Sequence, residues 1–323
     1  MFASTHEVSP QIKLLTSPKI HPLTLTGFLI AVLGSVMFST KAIIVKSAFR
    51  DIHIDVVSLL ALRMLFSLPF YLAAAFLVSN RKDNVRMNRR QWLYILALGF
   101  VGYYLSSFFD FLGLKSVSAG LERLILFLYP SFVLLINGFV FKMPISKMQK
   151  ISLMVTYAGI LLAFVGEVRL ESHDSNFYWG CFFIFLCAVT FSIYTAGSGK
   201  MVSQIGATKF TAYAMLAATM GVLIHYAAAG KNGLMHANTE VIVYGILLAL
   251  VATVIPSFLI NLGMKYIGST NVAIISCIGP VSTILQAYWF LGEKIHPGQI
   301  IGTVLVIIGI LITAWDPKNS LAK

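Results

Sequence analysis

Apolar runs about as long as a bilayer is thick follow one another along this chain, separated by short polar joints. A helix that crosses a bilayer needs about 17–25 mostly apolar residues. Reading the chain on that scale marks ten segments: Leu23–Lys41, Val56–Val78, Trp92–Phe109, Ser118–Phe141, Ile151–Val165, Tyr178–Thr195, Phe210–Ala229, Val241–Leu262, Asn271–Leu291 and Gly298–Ala314. The fifth is the shortest. Lipid offers no hydrogen bonds to a bare backbone, so spanning segments are helices or a closed barrel. Continuous apolar runs without strict alternation exclude the barrel. The pattern predicts an all-α polytopic membrane protein with ten transmembrane helices.

Composition agrees. The chain is 58% hydrophobic and 11% charged, less than half the charged fraction of about 25% in soluble domains. That allowance cannot cover a soluble fold of this length in polar surface. The net charge of +12 does not indicate nucleic-acid binding, because the positive residues sit in short joints between apolar runs. Cys181, Cys187 and Cys277 all lie inside apolar segments and fit neither a disulfide framework nor a metal site. Residues 1–22 are polar, carry Pro10, Pro18 and Pro22, and read as a tail. The run after them is too long for a signal-peptide core and lacks a small-residue cleavage site, so it is expected to remain as the first helix.

Lys and Arg set the orientation. With the N-terminus inside, fifteen of them face the cytoplasm, including the cluster Arg81, Lys82, Arg86, Arg89 and Arg90, against seven on the other side. Glu167, Glu171 and Asp174 crowd one external joint. Both termini are predicted to be cytoplasmic, residues 316–323 forming the second tail.

The two halves resemble each other in register. Adding 150 carries Ser107-Phe108 to Ser257-Phe258, Leu112-Gly113 to Leu262-Gly263, Lys115 to Lys265, Pro130 to Pro280, Gln149 to Gln299 and Gly159-Ile160-Leu161 to Gly309-Ile310-Leu311. Nearer the start the offset is 153, matching Gly27 to Gly180 and Phe38-Ser39 to Phe191-Ser192. Shared Gly, Pro, Lys and Gln in one register are not a by-product of apolar composition. Five spans in each unit, residues 23–166 and 178–315, make the second enter from the opposite side. That is an inverted repeat, as in many secondary transporters. Pro130 and Pro280 fall near the middle of helices four and nine. There each frees a carbonyl, serving either as a gating or ligand-facing break or as an ordinary packed kink.

Further stretches carry a family likeness: Ala61-Leu-Arg63-Met-Leu-Phe66, Gly279-Pro280, Leu291-Gly-Glu293-Lys294, Gly298-Gln-Ile-Ile-Gly302, Val306-Ile-Ile-Gly309 and the run Ala119 to Pro130. Through them the chain resembles the EamA branch of the drug/metabolite transporter superfamily over residues 23–315, with the Ala119 run similar to a bacterial subgroup. It departs from the pattern at Lys142-Met-Pro144, where the family carries a Gly-Glu pair, and at Met37-Phe38-Ser39, where a Trp-Gly step is common. The resemblance implies a bacterial inner-membrane carrier. Helices 1, 3, 4, 6, 8 and 9 would line a central cavity, and the cargo would be a small metabolite, often an exported amino acid or related compound.

On those helices Tyr103, Ser107, Tyr194, Ser257, Asn261, Ser276 and Gln286 are candidate substrate contacts, because binding sites combine apolar walls with a few orienting polar groups. Each also suits ordinary interhelical bonding. Charges inside a span are functional candidates by their cost. Glu122 reads either as facing inward, titrating or pairing with a substrate cation, or as half of a boundary pair with Arg123. Arg63 reads as structural, by snorkelling or by pairing with Glu122, ahead of a substrate contact, and Lys41 as an anchor closing helix one on the external side, ahead of an electrostatic entrance for anions. Gly298 and Gly302 form a small-residue face suited to close helix contact, including contact with a second copy. No metal or cofactor is implied, and the partners expected are a small-molecule substrate and the lipid bilayer.

Three rival readings differ in what they require. A phosphorylated-sugar or nucleotide-sugar antiporter needs several cavity cations, and Lys41, Arg63 and Arg123 are those at hand. A membrane-embedded enzyme needs a nucleophile with a base or a metal cluster, and His225 has no spaced partner. A structural or receptor-like membrane protein would move no substrate.

Overall fold

The computed structural model describes residues 24–80, 84–168, 175–230, 238–291, 295 and 297–314. The two tails and the stretch 292–294, with Glu293 and Lys294 of the family-like motif, lie outside the described residues. All regular structure among the described residues is helical. We number the helices α1 (Leu25–Asp51), α2 (Val56–Ser79), α3 (Arg89–Leu114), α4 (Ala119–Leu126), α5 (Tyr129–Phe139), α6 (Lys147–Val168), α7 (Ser175–Ile205), α8 (Ala207–Ala228), α9 (Thr239–Ile275), α10 (Ile278–Gln286) and α11 (Pro297–Ala314). Among the described residues, seven helices are long and apolar enough to cross a membrane: α1, α2, α3, the α4–α5 stack over Leu121–Phe139, α7, α8 and α9. A shorter apolar stretch, Ile300–Ile312, lies in α11. Large apolar side chains such as Phe76, Phe139, Met154 and Trp289 remain exposed on the outside. In water such a surface would aggregate, whereas in lipid it is the solvent-matched face. The chain is an integral membrane protein.

Local chemistry starts the helices. Thr24, Asp55, Asn88, Ser118 and Asn238 cap α1, α2, α3, α4 and α9 by accepting from backbone amides one turn in, satisfying donors a helix start leaves free. Asn88 and Gln91 complete a reciprocal capping box.

Irregularities recur at the same offset as the sequence matches. A π-helical turn interrupts α3 at Phe100–Leu105 and another interrupts α9 at Leu250–Val254. The helix breaks between α4 and α5 after Leu126, and again between α9 and α10 after Ile275. Pro130 therefore stands in the first turn of α5 and Pro280 in the first turn of α10. A proline costs little there, since first-turn amides have no intrahelical acceptor. This corrects the expectation of mid-helix prolines. Gly268 (φ 79°) kinks α9, a backbone that glycine adopts without strain.

α11 packs along α6, α9 along α1, and α8 along α2. Glycines set the closest approach. A Cβ on Gly159 would stand 2.6 Å from Gly302 O, and one on Gly309 would stand 2.3 Å from Thr156 Oγ1. The small-residue face of α11 thus packs on α6 of the same chain.

Candidate functional site

α1, α3, α4, α5, α7 and α9 surround a cavity in the middle of the bundle, holding about 520 Å³ of empty space including its open mouth. Among the described residues, fourteen line it: Ser35, Phe38 and Ser39 from α1, Tyr103 from α3, Arg123 and Leu126 from α4, Phe127 and Tyr129 around the break, Phe191 and Thr195 from α7, Ile260, Met264 and Val272 from α9, and Ser276 after it. Apolar walls with a few polar groups are the make-up of small-molecule sites. Ser35 Oγ and Ser276 Oγ meet at 2.7 Å and tie α1 to the start of α10.

A buried group of four charges sits beside the cavity. Lys41 Nζ pairs with Asp110 Oδ2 at 2.8 Å, and Arg123 Nε stands 3.1 Å from Glu122 Oε2. The second contact lacks the alignment of a hydrogen bond. All four side chains are at least 96% buried. Buried ions are tolerated when they compensate one another, and two cations with two carboxyls do so. Arg123 also donates from Nη2 to the Ser39 carbonyl at 2.9 Å, which brings its guanidinium to the cavity wall.

Of the expected substrate contacts, Tyr103 and Ser276 line the cavity. The others stand elsewhere. Ser107 accepts from Arg63 Nη2 at 3.1 Å. Ser257 shares a hydrogen bond with Tyr71 at 2.9 Å. Asn261 Nδ2 donates to Tyr194 Oη at 2.9 Å. Gln286 donates to Ser282 Oγ at 2.7 Å. Glu122 is enclosed among the charges rather than presented to the cavity.

Two expectations about cations are corrected. Lys41 does not close helix one, because α1 continues ten residues to Asp51. It stands inside the bundle, paired with Asp110. Arg63 neither snorkels nor bonds to Glu122. It is 1% exposed, bonds to Ser107, and lies 5.5 Å from the Phe111 ring centroid. Ser107 and Ser257, equivalent at the 150 offset, are both met by α2, through Arg63 and Tyr71. α2 is therefore tied into the polar interior.

Asp110 was absent from the candidates. Ending span three at Phe109 placed the acid just outside the membrane, whereas α3 runs on to Leu114. The signal was the apolar run Phe111-Leu-Gly-Leu114 that follows it. Among the described residues, no cluster of His, Cys, Asp and Glu could hold a metal ion.

The arrangement matches known proteins. The model of the EamA-like transporter family matches residues 25–165 and again 178–315. A Bacillus subtilis protein named uncharacterized transporter YcbK is 31% identical over 281 residues, covering 85% of this chain and 88% of that protein. A Salmonella typhimurium protein named uncharacterized inner membrane transporter YicL is 20% identical over 305 residues, covering 92% and 97%. A protein of known crystal structure shares the fold with a TM-score of 0.70 at 17% identity, covering 88% of this chain and 94% of its own. With a family model matching twice along almost its whole length, the chain belongs to the EamA-like transporter family.

Proposed function

We propose that the protein is a secondary carrier that exports small metabolites, amino acids or related compounds, by alternating access around the cavity between α1, α3, α4, α7 and α9. The observation that carries this reading is the cavity itself. It lies at the meeting of the two family-matched units, between 25–165 and 178–315, and is lined from both. Ten spans in two inverted repeats are the architecture proposed. The paired π turns, the paired helix breaks before Pro130 and Pro280, and the Gly159/Gly309 contacts of α6 with α11 support it. Breaks at matching sequence positions in the two halves allow one unit to rock against the other. With the N-terminus in the cytoplasm of a bacterial cell, the lysine- and arginine-rich joints face inward.

A phosphorylated-sugar antiporter has less support. Of the three cations at hand, Arg123 reaches the cavity, while Lys41 is held by Asp110 and Arg63 by Ser107.

Counterflow in proteoliposomes tests the proposal. Purified protein, preloaded with one metabolite at a time, is expected to accumulate the labelled form of one chemical class saturably. Folded protein that accumulates none across a broad panel of amino acids, organic acids, sugars and phosphorylated sugars would overturn it.

A further inference from the structure

The cavity wall is largely aromatic. Phe38, Tyr103, Phe127, Tyr129 and Phe191 line it, with Phe191 stacked on Phe38 at 5.8 Å and edge-on to Tyr129 at 5.1 Å between centroids. Flat walls of this kind favour a flat apolar body.

Among the described lining residues, Arg123 is the one charged side chain. It is 2% exposed. A guanidinium offers five N–H donors, and the hydrogen bond formed by Arg123 among the described residues is Nη2 to Ser39 O. Glu122 stands against the Nε edge without an aligned hydrogen bond, which leaves the Nη end as the part that reaches the cavity. The carboxyls of Asp110 and Glu122 are fully buried and do not line it. The remaining polar groups are neutral hydroxyls, several already donating to their own helix: Ser35 to Ala31 O, Ser39 to Ser35 O and Thr195 to Phe191 O. Such hydroxyls can accept from an ammonium, but no carboxylate among the described wall residues carries the countercharge that a buried cation requires.

We infer that the cavity selects a small organic monoanion, a carboxylate on a flat apolar body held at the Nη end of Arg123, over the zwitterion or the amine of the same skeleton. A carboxylate there forms the charge-assisted, fork-shaped contact to which arginine is suited. The free ammonium of an amino acid would be desolvated without a partner. This inference rests on the transport reading above and narrows its substrate class to carboxylates related to amino acids, setting the amino acids themselves aside.

Three probes share one skeleton and differ in charge: hydrocinnamate, phenylalanine and phenethylamine. Titration calorimetry on the full-length protein in detergent is expected to show hydrocinnamate binding at least about tenfold tighter than either of the others, the scale of one charge-assisted hydrogen bond. Arg123→Gln is expected to abolish that preference, with thermal unfolding followed in parallel to establish that the variant is folded. The preference of the unaltered protein stands as a test by itself if the variant does not fold. Equal or tighter binding of phenylalanine or phenethylamine overturns the inference. Absence of binding by all three, with saturable counterflow of a metabolite lacking a carboxylate, overturns it too and leaves the transport reading intact. Absence of both binding and counterflow across the full panel removes both.

Discussion

The ammonium of Lys41 on α1 lies 2.8 Å from the carboxylate of Asp110 on α3, and the two side chains are 4% and 0% exposed. Neither helix could carry its charge at that depth alone. The pair fixes α1 against α3 next to the cavity, and Arg123 on α4, beside Glu122, reaches α1 through the Ser39 carbonyl. Three cavity helices are thus joined by charge as well as by packing.

Breaking that pair from one side is expected to be costly. Asp110→Asn leaves the Lys41 ammonium enclosed without its counter-ion, a loss of about 3–5 kcal/mol for buried pairs. Lys41→Met combined with Asp110→Leu removes both charges and is expected to recover much of it. Unfolding of the purified variants in detergent, arranged as a double-mutant cycle, measures the coupling. Additive losses would show that the two residues do not depend on each other.

Glu122→Gln keeps the shape of the side chain and removes the charge next to Arg123. The guanidinium then retains Ser39 O as its acceptor, and stability is expected to fall by a few kcal/mol, about 3 by the same reasoning. A melting temperature equal to that of the unaltered protein would mean that Glu122 does not compensate Arg123.

The glycines of the helix contacts are expected to differ in tolerance. A Cβ on Gly99 would stand 2.1 Å from Ala214 O, a backbone atom of α8, whereas on Gly298 the nearest atom is Leu162 O at 3.3 Å. Gly99→Ala forces α3 and α8 apart and is expected to lower the folded yield strongly. Gly298→Ala is expected to stay near the unaltered level. Size-exclusion profiles of the two variants make the comparison.

Tyr71→Phe removes the hydroxyl that meets Ser257 at 2.9 Å. Ser257 keeps its bond to Val254 O at 2.9 Å, so the loss is expected near 1 kcal/mol, the scale of a single net hydrogen bond. Thermal unfolding resolves a change of that size. A loss above about 3 kcal/mol would show that Tyr71 anchors α2 through more than this bond.

Helix existence was readable because it depends on neighbours in sequence. An apolar run in lipid must satisfy its own backbone, so the segments around Val56–Val78 and Phe210–Ala229 are legible from composition alone. Helix ends were less so. Lys41 and Asp110 each marked an expected boundary, yet both lie inside helices, because each supplies the charge that makes the other bearable at depth. A hydropathy scan weighs each residue singly and cannot see the compensation.

The candidate site divides in the same way. Tyr103 and Ser276 follow from polar character on the right helices, and both reach the cavity. Ser107, Ser257 and Asn261 have the same character but spend it on Arg63, Tyr71 and Tyr194. Choosing between Glu122 and Arg123 as the residue at the wall was beyond local reasoning. Adjacent residues on a helix point about 100° apart, and only the packing of α4 against α1 and α3 decides which direction faces the cavity.

The membrane setting, the helical class and the family are legible without coordinates, since they rest on composition, run length and motifs that act locally along the chain. The sequence also carried the offset at which the π turns and helix breaks recur. Which charges pair, which polar groups are consumed between helices, and that Arg123 is the cation among the described residues of the cavity wall follow from three-dimensional packing. Those outcomes depend on atoms far apart in the chain brought within a few ångströms. In a low-dielectric interior, partners at that distance decide whether a charge is buried as structure or left available to a substrate.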